Sequence, residues 1–457
     1  MHAHGAHHRH GGGARKSKWP MIPMDDAINI VLENAIRLPP KVLPIREALG
    51  KILAEDVLSP EDMPPFPASI KDGYAVLSSD GPGVYRVVGA VTAGKEPDFR
   101  VEPGTVAYIT TGAPLPPGSD AVIQVENTEG ASAPAPEVEH GADGGSSSGD
   151  SGPLGGKWVR ILTSAKKGED VRPIGVDIRK GDLLLSTNDR IGAAEIGLLA
   201  SMGILEVNVY PSPKIAVLST GDELVDPYDV VGLPGDSIGY GMIRDSNRSM
   251  LFSALKQAGI SDVLDLGIAR DVKGDLLAKV QRGIDEADIL ITSGGVSMGE
   301  LDLLKPTLEK QGKIHFGRVL MKPGKPLTFA TVDSRARRKY VFSVPGNPVS
   351  ALVCFHLTVV PAIRKLSGWP TPNLPRVRAT LLNSIRLDPE RPEYHRALIR
   401  FDLEEGVFKA ESTGRQASSR LASMRSANAL LELPRADTTL EVGHVVTAYI
   451  ISSSSET

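Results

Sequence analysis

Residues 288–312 read DILITSGGVSMGELDLLKPTLEKQG, an apolar run, a glycine pair and an amphipathic run in succession. This order predicts a buried strand, a tight turn and a helix. The same order occurs on both sides, in KIAVLST at 214–220 with the helical stretch after it and in KYVFSVPGNPVSALV at 339–353. Strands and helices that alternate at this spacing predict a three-layer α/β/α domain with a mainly parallel sheet.

The sequence outside this domain predicts β structure and two disordered segments. Short alternating runs rich in Gly, Pro, Val and Thr predict a small β-rich domain before residue 125, and alternation after Arg376 predicts a small β-barrel. EALGKILAED at 47–56 predicts a helix. A His/Gly-rich start and a Gly/Ser/Asp-rich segment at 129–156 lack the apolar residues needed to order a chain.

Composition limits the class of protein. The 457 residues exceed what one hydrophobic core usually serves, and the net charge of −4 argues against a nucleic-acid binder. The single cysteine, Cys354, excludes an internal disulfide, fits a reducing cytoplasmic compartment and is expected to pack in the core. We expect no apolar run as long as a membrane span, which takes about 18 residues, and no secretory signal at the start.

Polar residues follow three predicted strands of the α/β domain. Ligands of open α/β sheets bind beyond the carboxyl ends of the strands, and glycines there let backbone N–H groups approach an anion. We therefore predict one crevice formed by three loops. The candidates are Ser219, Thr220, Gly221, Asp222 and Glu223 in the first loop, Gly294, Gly295, Ser297 and Asp302 in the second, and Gly346, Asn347 and Ser350 in the third.

Lysines near this crevice indicate the charge of its ligand. In VLMKPGKPL at 319–327, Lys322 and Lys325 each precede a proline, and Lys305 lies in the helix before them. Proline restricts itself and the residue before it, so the loop is expected to be stiff. Lysines beside the Asp302 carboxylate favour a phosphorylated or oxyanionic substrate together with a divalent cation. The chain lacks the glycine motifs of dinucleotide-binding and P-loop proteins.

Each of these features also fits an ordinary structural role. A strand-end Thr-Gly-Asp or Gly-Gly pair fits a simple turn, and KDGYA at 71–75 fits the entry to a strand. GRQASSRLASMRSAN at 414–428 fits a solvated basic face, and Arg391 fits either a rigid anion contact or a turn. Their recurrence at three strand ends of one sheet favours the functional interpretation.

Several motifs resemble the molybdenum insertases of the MoeA/gephyrin E-domain family, most closely the E domain of the plant molybdenum cofactor biosynthesis enzyme. The resemblance extends from about residue 21 to residue 451. It rests on PPFPASIKDGYAV, YITTGAPLP, LSTGDEL, IRDSNR, TSGGVSMGELD, LMKPGKPLTFA, VPGNPVSALV and STGRQASSRLASMRSANALLELP. The His-rich tail and the insert near 141–156 depart from the family pattern.

The resemblance also implies a domain arrangement. The expected parts are a disordered tail at 1–20, an elongated linker subdomain at 21–57 and 162–208, a β-rich inserted subdomain at 58–161 with a disordered loop at 129–156, a molybdopterin-binding-like α/β domain at 209–370 and a C-terminal β-barrel at 371–457.

The resemblance implies a Mg²⁺-dependent molybdopterin molybdotransferase. Molybdate is inserted into adenylylated molybdopterin, and molybdenum cofactor and AMP are released. By motif position the catalytic residues are Asp302, Ser297, Lys322, Lys325 and Glu223, with Asp302 as the metal ligand. The residues expected to bind adenylylated molybdopterin are Ser219, Thr220, Gly221, Asp222, Asp245, Gly294, Gly295, Lys305, Pro323, Pro326, Asn347, Asp72, Thr111 and Asp177. Those for molybdate are Lys325, Ser350, Arg391 and Ser418.

In the family, Asp72, Thr111 and Asp177 reach the site from the other subunit, so a homodimer with a shared active site is implied. No adenylyltransferase domain occurs in the sequence, so we expect a separate molybdopterin adenylyltransferase as substrate donor. Three alternatives are the preceding adenylylation step, the receptor-clustering scaffold role of animal gephyrin, and a silent cofactor-binding module. The motif set argues against the first, the missing domain against the second, and Asp302 with both lysines against the third.

Overall fold

The structure, a computed structural model, describes residues 18–133, 156–229, 238–270, 273–295, 304–335 and 337–452. The chain folds into two compact units. The α/β–barrel unit comprises Met1–Ala54, Asn188–Gly192 and Val207–Thr457, and the β-rich unit comprises Glu55–Thr187 and Ala193–Glu206. Residues 1–17 of the predicted tail lie outside the described residues.

The helices are α1 (Met24–Asn34), α2 (Ala193–Ser201), α3 (Ser246–Gln257), α4 (Lys273–Glu286), α5 (Leu304–Gln311), α6 (Pro348–Cys354) and α7 (Val360–Leu366). A π-helical turn at Phe355–Val359 joins α6 to α7, so that 348–366 form one continuous helix.

The strands are β1 (Lys41–Pro44), β2 (Ile52–Leu53), β3 (Val57–Leu58), β4 (Ala68–Ser69), β5 (Gly73–Val76), β6 (Gly83–Val91), β7 (Thr105–Ile109), β8 (Ala121–Gln124), β9 (Thr128–Ala131), β10 (Trp158–Ile161), β11 (Val171–Arg172), β12 (Leu183–Leu185), β13 (Glu206–Tyr210), β14 (Ile215–Thr220), β15 (Leu224–Val225), β16 (Ile243–Arg244), β17 (Val263–Ala269), β18 (Ile289–Ser293), β19 (Gly312–Phe316), β20 (Thr328–Ser334), β21 (Arg337–Val344), β22 (Arg376–Leu381), β23 (Ile385–Arg386), β24 (Glu393–Asp402), β25 (Val407–Ser412), β26 (Ala429–Leu433), β27 (Thr439–Leu440) and β28 (Val445–Ile450).

A six-stranded sheet organises the α/β domain, in the order β17-β14-β18-β21-β20-β19. The first four strands are parallel, and β20 runs antiparallel to both of its neighbours. Because β19 therefore runs in the same direction as β21, its carboxyl end lies at the same edge as those of β14, β18 and β21. This geometry brings the predicted loops to one edge of the sheet, as the sequence led us to expect.

Both faces of this sheet are buried, which explains its nearly continuous apolar strands. Along β14, Ile215 and Val217 pack with α1, α3 and the helix 348–366, whereas Ala216 and Leu218 pack with α4 and α5. The expected three-layer arrangement is confirmed. Cys354 is fully buried in the first of these cores, and burial raises the pKa of its thiol, so the expectation of a packing role is confirmed.

The helix 348–366 corrects one sequence-based expectation. Its 19 residues and mean hydropathy of 1.5 make it long and apolar enough to cross a membrane. The expectation that no apolar run reaches this length is therefore wrong. The helix is 78% buried inside the protein, as a central core helix is.

The C-terminal region forms a closed five-stranded barrel, β22-β25-β24-β26-β28. Its interior is lined by alternating small and branched residues, among them Ala397, Ile399 and Leu431. The predicted barrel is confirmed.

The β-rich unit contains a second six-stranded sheet, in the order β8-β5-β7-β6-β10-β9, and two two-stranded ribbons, β4-β11 and β3-β12. Residues that alternate along β7 face two small apolar clusters, with Val106 in one and Ala107 in the other. The predicted β-rich character of this region is confirmed.

Two local predictions are wrong. Residues 47–56 form no α-helix beyond the 3-10 turn Ile45–Glu47, because Gly50 adopts φ +77° and Leu53 pairs with Val209 in β13. The predicted disordered loop 129–156 starts too early, because Glu129–Ala131 belong to β9 and pair with β10. Residues 134–155 of that loop lie outside the described residues.

Candidate functional site

The three strand-end loops meet at the carboxyl edge of the α/β sheet. The Gly294 N–H donates to the Val344 carbonyl at 3.1 Å, and the Thr220 Oγ1 donates to the Ser293 carbonyl at 3.3 Å. A Cβ added to Gly346 would lie 3.7 Å from the Gly294 Cα. The structure thus brings together the loops that follow β14, β18 and β21.

Asn247 on α3 joins two of these loops. Its Nδ2 donates to the Ser293 Oγ at 2.7 Å and to the Gly346 carbonyl at 2.7 Å. Sequence reasoning missed this residue, although its motif IRDSNR was noted. A buried amide that bridges two strand ends holds the edge rigid.

Glycine is required at two points of this edge. Gly294 has φ +89°, and a Cβ there would lie 2.5 Å from the Thr220 carbonyl oxygen. Gly221 has φ +144°, and its Cβ would lie 2.4 Å from the Glu223 carboxylate. Close approach of backbone to backbone explains Gly294, and the positive φ explains Gly221, because the exposed Glu223 side chain can move away.

Buried polar atoms without hydrogen bonds accumulate near the same edge. Within the described part of the chain, the Ser219 Oγ, Thr292 Oγ1, Ser343 Oγ and Asn247 Oδ1 have no hydrogen-bond partner. An unsatisfied buried group costs roughly 1–3 kcal/mol. An edge with several such groups is suited to a polar ligand or ordered water.

The acidic residues near this edge differ in environment. Asp222 and Glu223 are exposed, and the Arg270 Nη1 donates to the Asp222 carbonyl at 3.0 Å. Asp245 is buried, caps α3 by accepting from the Arg248 N–H, and pairs with the Arg248 guanidinium. The structure gives Asp245 a structural role; its contact with substrate stays a prediction.

Residues of the second loop fall partly within the described ranges. Gly294 and Gly295 both have positive φ, and Lys305 is half-buried in the first turn of α5. Ser297 and Asp302 lie outside the described residues, so their predicted catalytic roles stay predictions.

Residues 319–327, here called the Lys-Pro loop, join the α/β domain to the barrel. The Lys322 N–H donates to the Pro392 carbonyl at 2.9 Å, and the Tyr394 N–H donates to the Lys322 carbonyl at 2.8 Å. The loop therefore extends the start of β24. Its backbone is fixed by hydrogen bonds as well as by proline.

Lys322 carries a charged network of its own. Its Nζ lies 3.3 Å from the Asp388 Oδ2 and 3.0 Å from the Glu393 Oε2. Burial alone would lower the pKa of Lys322, but Glu393 and Asp388 outweigh it and raise that pKa. Burial alone would raise the pKa of Glu393, yet His395 and Lys322 bring it below the ordinary value. Lys322 is therefore held as a cation.

His395 continues this network into the barrel. Its Nδ1 lies 3.0 Å from the Glu393 Oε1 and its Nε2 lies 2.7 Å from the Ser412 Oγ. An ionised carboxylate only accepts hydrogen bonds, so the His395 Nδ1 carries a proton and donates to Glu393. Sequence reasoning missed Asp388, Glu393 and His395; the charged run DPERPEYHR was the available signal.

The other residues of the loop differ in exposure. Lys325 is exposed and its carbonyl accepts from the Val319 N–H at 2.9 Å, while Pro323 is buried and Pro326 half-buried. A Cβ on Gly324, whose φ is +109°, would lie 2.6 Å from the Cys354 Sγ. The loop thus packs directly on the core helix.

Three predicted molybdate residues lie where the barrel meets the α/β domain. The Asn347 Nδ2 donates to the Ser418 Oγ at 3.1 Å, and the Val349 N–H donates to the Ser418 carbonyl at 3.2 Å. This places the Ser418 loop on the helix turn that contains buried Ser350. The Arg391 Nη1 approaches the Met321 carbonyl at 3.5 Å, beside the Lys-Pro loop.

Arg396 supports the Ser418 loop from within the barrel. Its Nη2 donates to the Ala417 carbonyl at 3.3 Å and its Nε to the Ser423 Oγ at 3.3 Å. The side chain is fully buried, and burial lowers the pKa of its guanidinium to about 10. Sequence reasoning missed this residue, because the pattern of β24 alone does not distinguish an inward Arg from a surface one.

The predicted residues of the β-rich unit lie on adjoining loops. The Asp72 Oδ1 accepts from the Thr111 N–H at 2.7 Å and from the Thr111 Oγ1 at 3.0 Å, which lowers the pKa of Asp72. Asp177 forms an ion pair with Arg172. All three predicted residues are exposed.

No cluster of three or more His, Cys, Asp or Glu side chains arranged for a metal ion occurs within the described ranges. Asp302, the predicted metal ligand, lies outside them.

Three family profiles match most of the chain. They are the MoeA N-terminal region (domains I and II) at residues 22–203, a probable molybdopterin binding domain at 216–365, and the MoeA C-terminal region (domain IV) at 378–451.

Relatives and solved structures agree with these matches. The chain is 42% identical to gephyrin of Dictyostelium discoideum, over 96% of this chain and 64% of that protein. It is 33% identical to a molybdopterin molybdenumtransferase of Haemophilus influenzae, over 93% of this chain and 98% of that one. A MoeA protein of Pyrococcus horikoshii has a similar structure, with a TM-score of 0.73 and 30% identity, covering 95% of this chain and 100% of that one.

The fold and the matched regions together define a multidomain protein with a molybdopterin-binding domain. The chain belongs to the MoeA family of molybdenum cofactor biosynthesis proteins. The family resemblance and the fold class expected from the sequence are confirmed. The chain spans less than two thirds of the length of the Dictyostelium gephyrin.

Proposed function

We propose that this chain is a molybdenum insertase, which transfers molybdenum from molybdate to molybdopterin. Two relatives that the chain matches over nearly their whole length are named molybdopterin molybdenumtransferases. The observation that carries the proposal is the fixed position of Lys322. Its cation is held at the carboxyl edge of a molybdopterin-binding-type sheet, on a loop that also pairs with the barrel.

We further propose that the pterin substrate is adenylylated and that AMP is released. A pyrophosphate and molybdate repel each other, so bringing them together requires fixed positive charge and hydrogen-bond donors. Lys322 and Lys325 supply the charge, and the backbone N–H group of Gly295 supplies a donor at the strand end. Preorganised groups of this kind need no rearrangement during the reaction.

Molybdate is assigned to the junction of the two domains. Ser350 and Ser418 offer hydroxyl groups there, and Arg391 and Lys325 offer cations. The hydrogen bonds from Asn347 and Val349 to Ser418 hold the barrel loop against the helix turn that carries Ser350. The oxyanion would thus be bound by both domains.

Mg²⁺ is the metal that this substrate implies. It prefers oxygen ligands and often uses one or two carboxylates together with substrate phosphates. The exposed carboxylates of Asp222 and Glu223 at the strand edge fit this preference, and we assign Asp302 as the principal ligand. When bound, Mg²⁺ would neutralise charge on the phosphates.

The working enzyme is proposed to be a cytoplasmic homodimer. Asp72, Thr111 and Asp177 would complete the partner's site, and a separate molybdopterin adenylyltransferase would supply the substrate. Their exposure on the β-rich unit supports this assignment, since exposed polar loops can meet another subunit.

The test is AMP release from adenylylated molybdopterin with Mg²⁺, with and without molybdate. We expect release that depends on molybdate, with active cofactor recovered by an apo-molybdoenzyme. Folded protein that releases no AMP under either condition would instead favour a carrier or scaffold.

Asp302→Ala is the matching variant. We expect it to lose turnover while still binding the adenylylated pterin, because the change removes a carboxylate and leaves the lysines in place. Asp333→Ala, an exposed carboxylate at the end of β20, is the control and should keep full turnover. Turnover that survived in Asp302→Ala would show that the catalytic assignment is wrong.

A further inference from the structure

A cavity of about 670 Å³ lies within the α/β–barrel unit, away from the strand-end loops. Its lining includes Ser212 just before β14, Ile260 just before β17, and Ser367 at the end of the helix that starts beyond β21. These positions belong to the amino edge of the parallel strands. The cavity is therefore separate from the candidate active site at the carboxyl edge.

Three cationic side chains line this cavity. The guanidinium groups of Arg190 and Arg364 lie 5.0 Å and 4.8 Å from the centroid of the Trp369 ring, and the Lys51 Nζ donates to the Ser212 Oγ at 2.6 Å. No Asp or Glu belongs to the lining among the described residues. The positive charge of the cavity is thus not balanced by carboxylates in its wall.

The charged forms of these side chains are disfavoured in the cavity. Burial lowers the pKa of Lys51, and burial followed by the repulsion of Arg190 lowers the pKa of Arg364. Burial, and then Arg364, lowers the pKa of His356 to about 4, so this ring is neutral at pH 7. Like charges around one aromatic ring repel each other, and an anion between them would relieve that repulsion.

Two further features indicate a binding site. The Ser367 Oγ has no hydrogen-bond partner, although the residue is only 8% exposed. His356 lies in the π-helical turn at Phe355–Val359, and such turns occur frequently at functional sites. Pro361 has no N–H to donate to the Leu357 carbonyl, so one backbone hydrogen bond of the helix is missing next to this turn. A hydroxyl without a partner and a locally opened helix thus lie in the wall of the same cavity.

We propose that this cavity binds a small phosphate-bearing anion through Arg190, Arg364 and Lys51. A guanidinium group can donate two parallel hydrogen bonds to a phosphate, and the Lys51 ammonium adds a point charge. The volume lies within the range of small-molecule sites, which is roughly 300–1,000 Å³. The site does not depend on the proposed insertase activity.

Trp369 provides a local readout. The chain has three tryptophans, so full-length protein with Trp19→Phe and Trp158→Phe reports from the cavity alone. We expect its emission to change saturably when inorganic pyrophosphate or inorganic phosphate is added. Tighter binding of pyrophosphate would assign a diphosphate group, and equal binding a single phosphoryl group.

Arg190→Gln with Arg364→Gln, in the same background, tests the site. We expect the affinity to fall about tenfold or more, since a charge-assisted hydrogen bond contributes roughly 1.5–3 kcal/mol. Arg400→Gln with Arg435→Gln removes two exposed charges from the barrel and serves as the control, with no change expected. Arg190→Gln alone, with about a tenfold loss expected, replaces the double variant if that fails to fold.

Two outcomes would overturn the proposal. One is an equal change in emission with potassium chloride at matched ionic strength. The other is unchanged affinity in both arginine variants.

Discussion

At the scale of the residue, Lys322 shows how a barrel can control a loop of a neighbouring domain. Two carboxylates from the barrel side of the junction, Asp388 and Glu393, form ion pairs with this lysine. Glu393 is itself fixed by His395, which is fixed by Ser412. The charge and position of the Lys322 cation thus depend on residues far away in the sequence. The nearest of them, Asp388, follows Lys322 by 66 positions.

Glu393→Gln should weaken this arrangement. The variant removes the charge that holds Lys322, so we expect lower AMP release and a loss of about 1–3 kcal/mol in the free energy of unfolding. Urea denaturation and the AMP assay would measure the two effects. Glu411→Gln, an exposed carboxylate on β25, should change stability by no more than about 0.5 kcal/mol. Equal effects of both variants would rule out a special role for Glu393.

The pH dependence of stability follows from the same carboxylate. The pKa of Glu393 is lowered from its ordinary value of 4.5, so its stabilising contribution is full above that value and is lost as pH falls through the folded pKa. Wild type should therefore lose more stability than Glu393→Gln between pH 6 and about pH 3. Urea midpoints across this range would measure it. Parallel curves would contradict the prediction.

At alkaline pH, the dependence of stability on pH has the opposite sign. The pKa of Lys322 is raised, so the contribution of this cation is full below its ordinary value of 10.5 and is lost as pH rises through the folded pKa. The network is therefore intact at neutral pH, where the proposed reaction would take place.

At the scale of the element, the Lys-Pro loop depends on its contact with the core helix. Gly324→Ala would place a Cβ 2.6 Å from the Cys354 Sγ and 2.9 Å from the Met321 Cε, at a positive φ. We expect a loss of about 2–4 kcal/mol, as strain and overpacking add, together with lower AMP release. The urea midpoint would measure the loss.

Gly406→Ala is the matched control for this element. Gly406 also has positive φ, at +68°, but nothing lies within 4 Å of its Cβ position. Its cost should be limited to backbone strain, about 1 kcal/mol. If both variants lost the same stability, packing against Cys354 would not matter to the loop.

At the scale of the whole molecule, the proposed shared site can be tested by complementation. Asp72→Ala and Asp302→Ala inactivate different halves of such a site. In an equal mixture of the two variants, exchanged subunits should form heterodimers with one intact site, and about a quarter of wild-type AMP release should return.

The control for this mixture places both changes in one chain. A double variant mixed with inactive Asp302→Ala has no way to form an intact site and should stay inactive. No recovery in the test mixture, when the protein is dimeric, would contradict sharing of the site between subunits. Recovery in the control would instead contradict the catalytic assignment of Asp302.

Much of the fold could be predicted because its signals are local. Buried parallel strands require continuous apolar runs, so β14, β18 and β21 were predicted from the sequence, and their order implied which loops meet. The helix predicted at 47–56 failed, because pairing of Leu53 with β13 and the left-handed Gly50 outweighed a weak helical pattern.

The sequence by itself determined the family, the layered α/β domain, the barrel and the lysines of the Lys-Pro loop, since each is encoded in a continuous stretch. Only the tertiary structure decided which groups surround those lysines. Glu393, His395, Asn247 and Arg396 act through contacts across sheets and domains, and the cavity around Trp369 is assembled from segments separated by hundreds of residues. Such contacts depend on how apolar faces pack, and no short stretch of sequence encodes that packing.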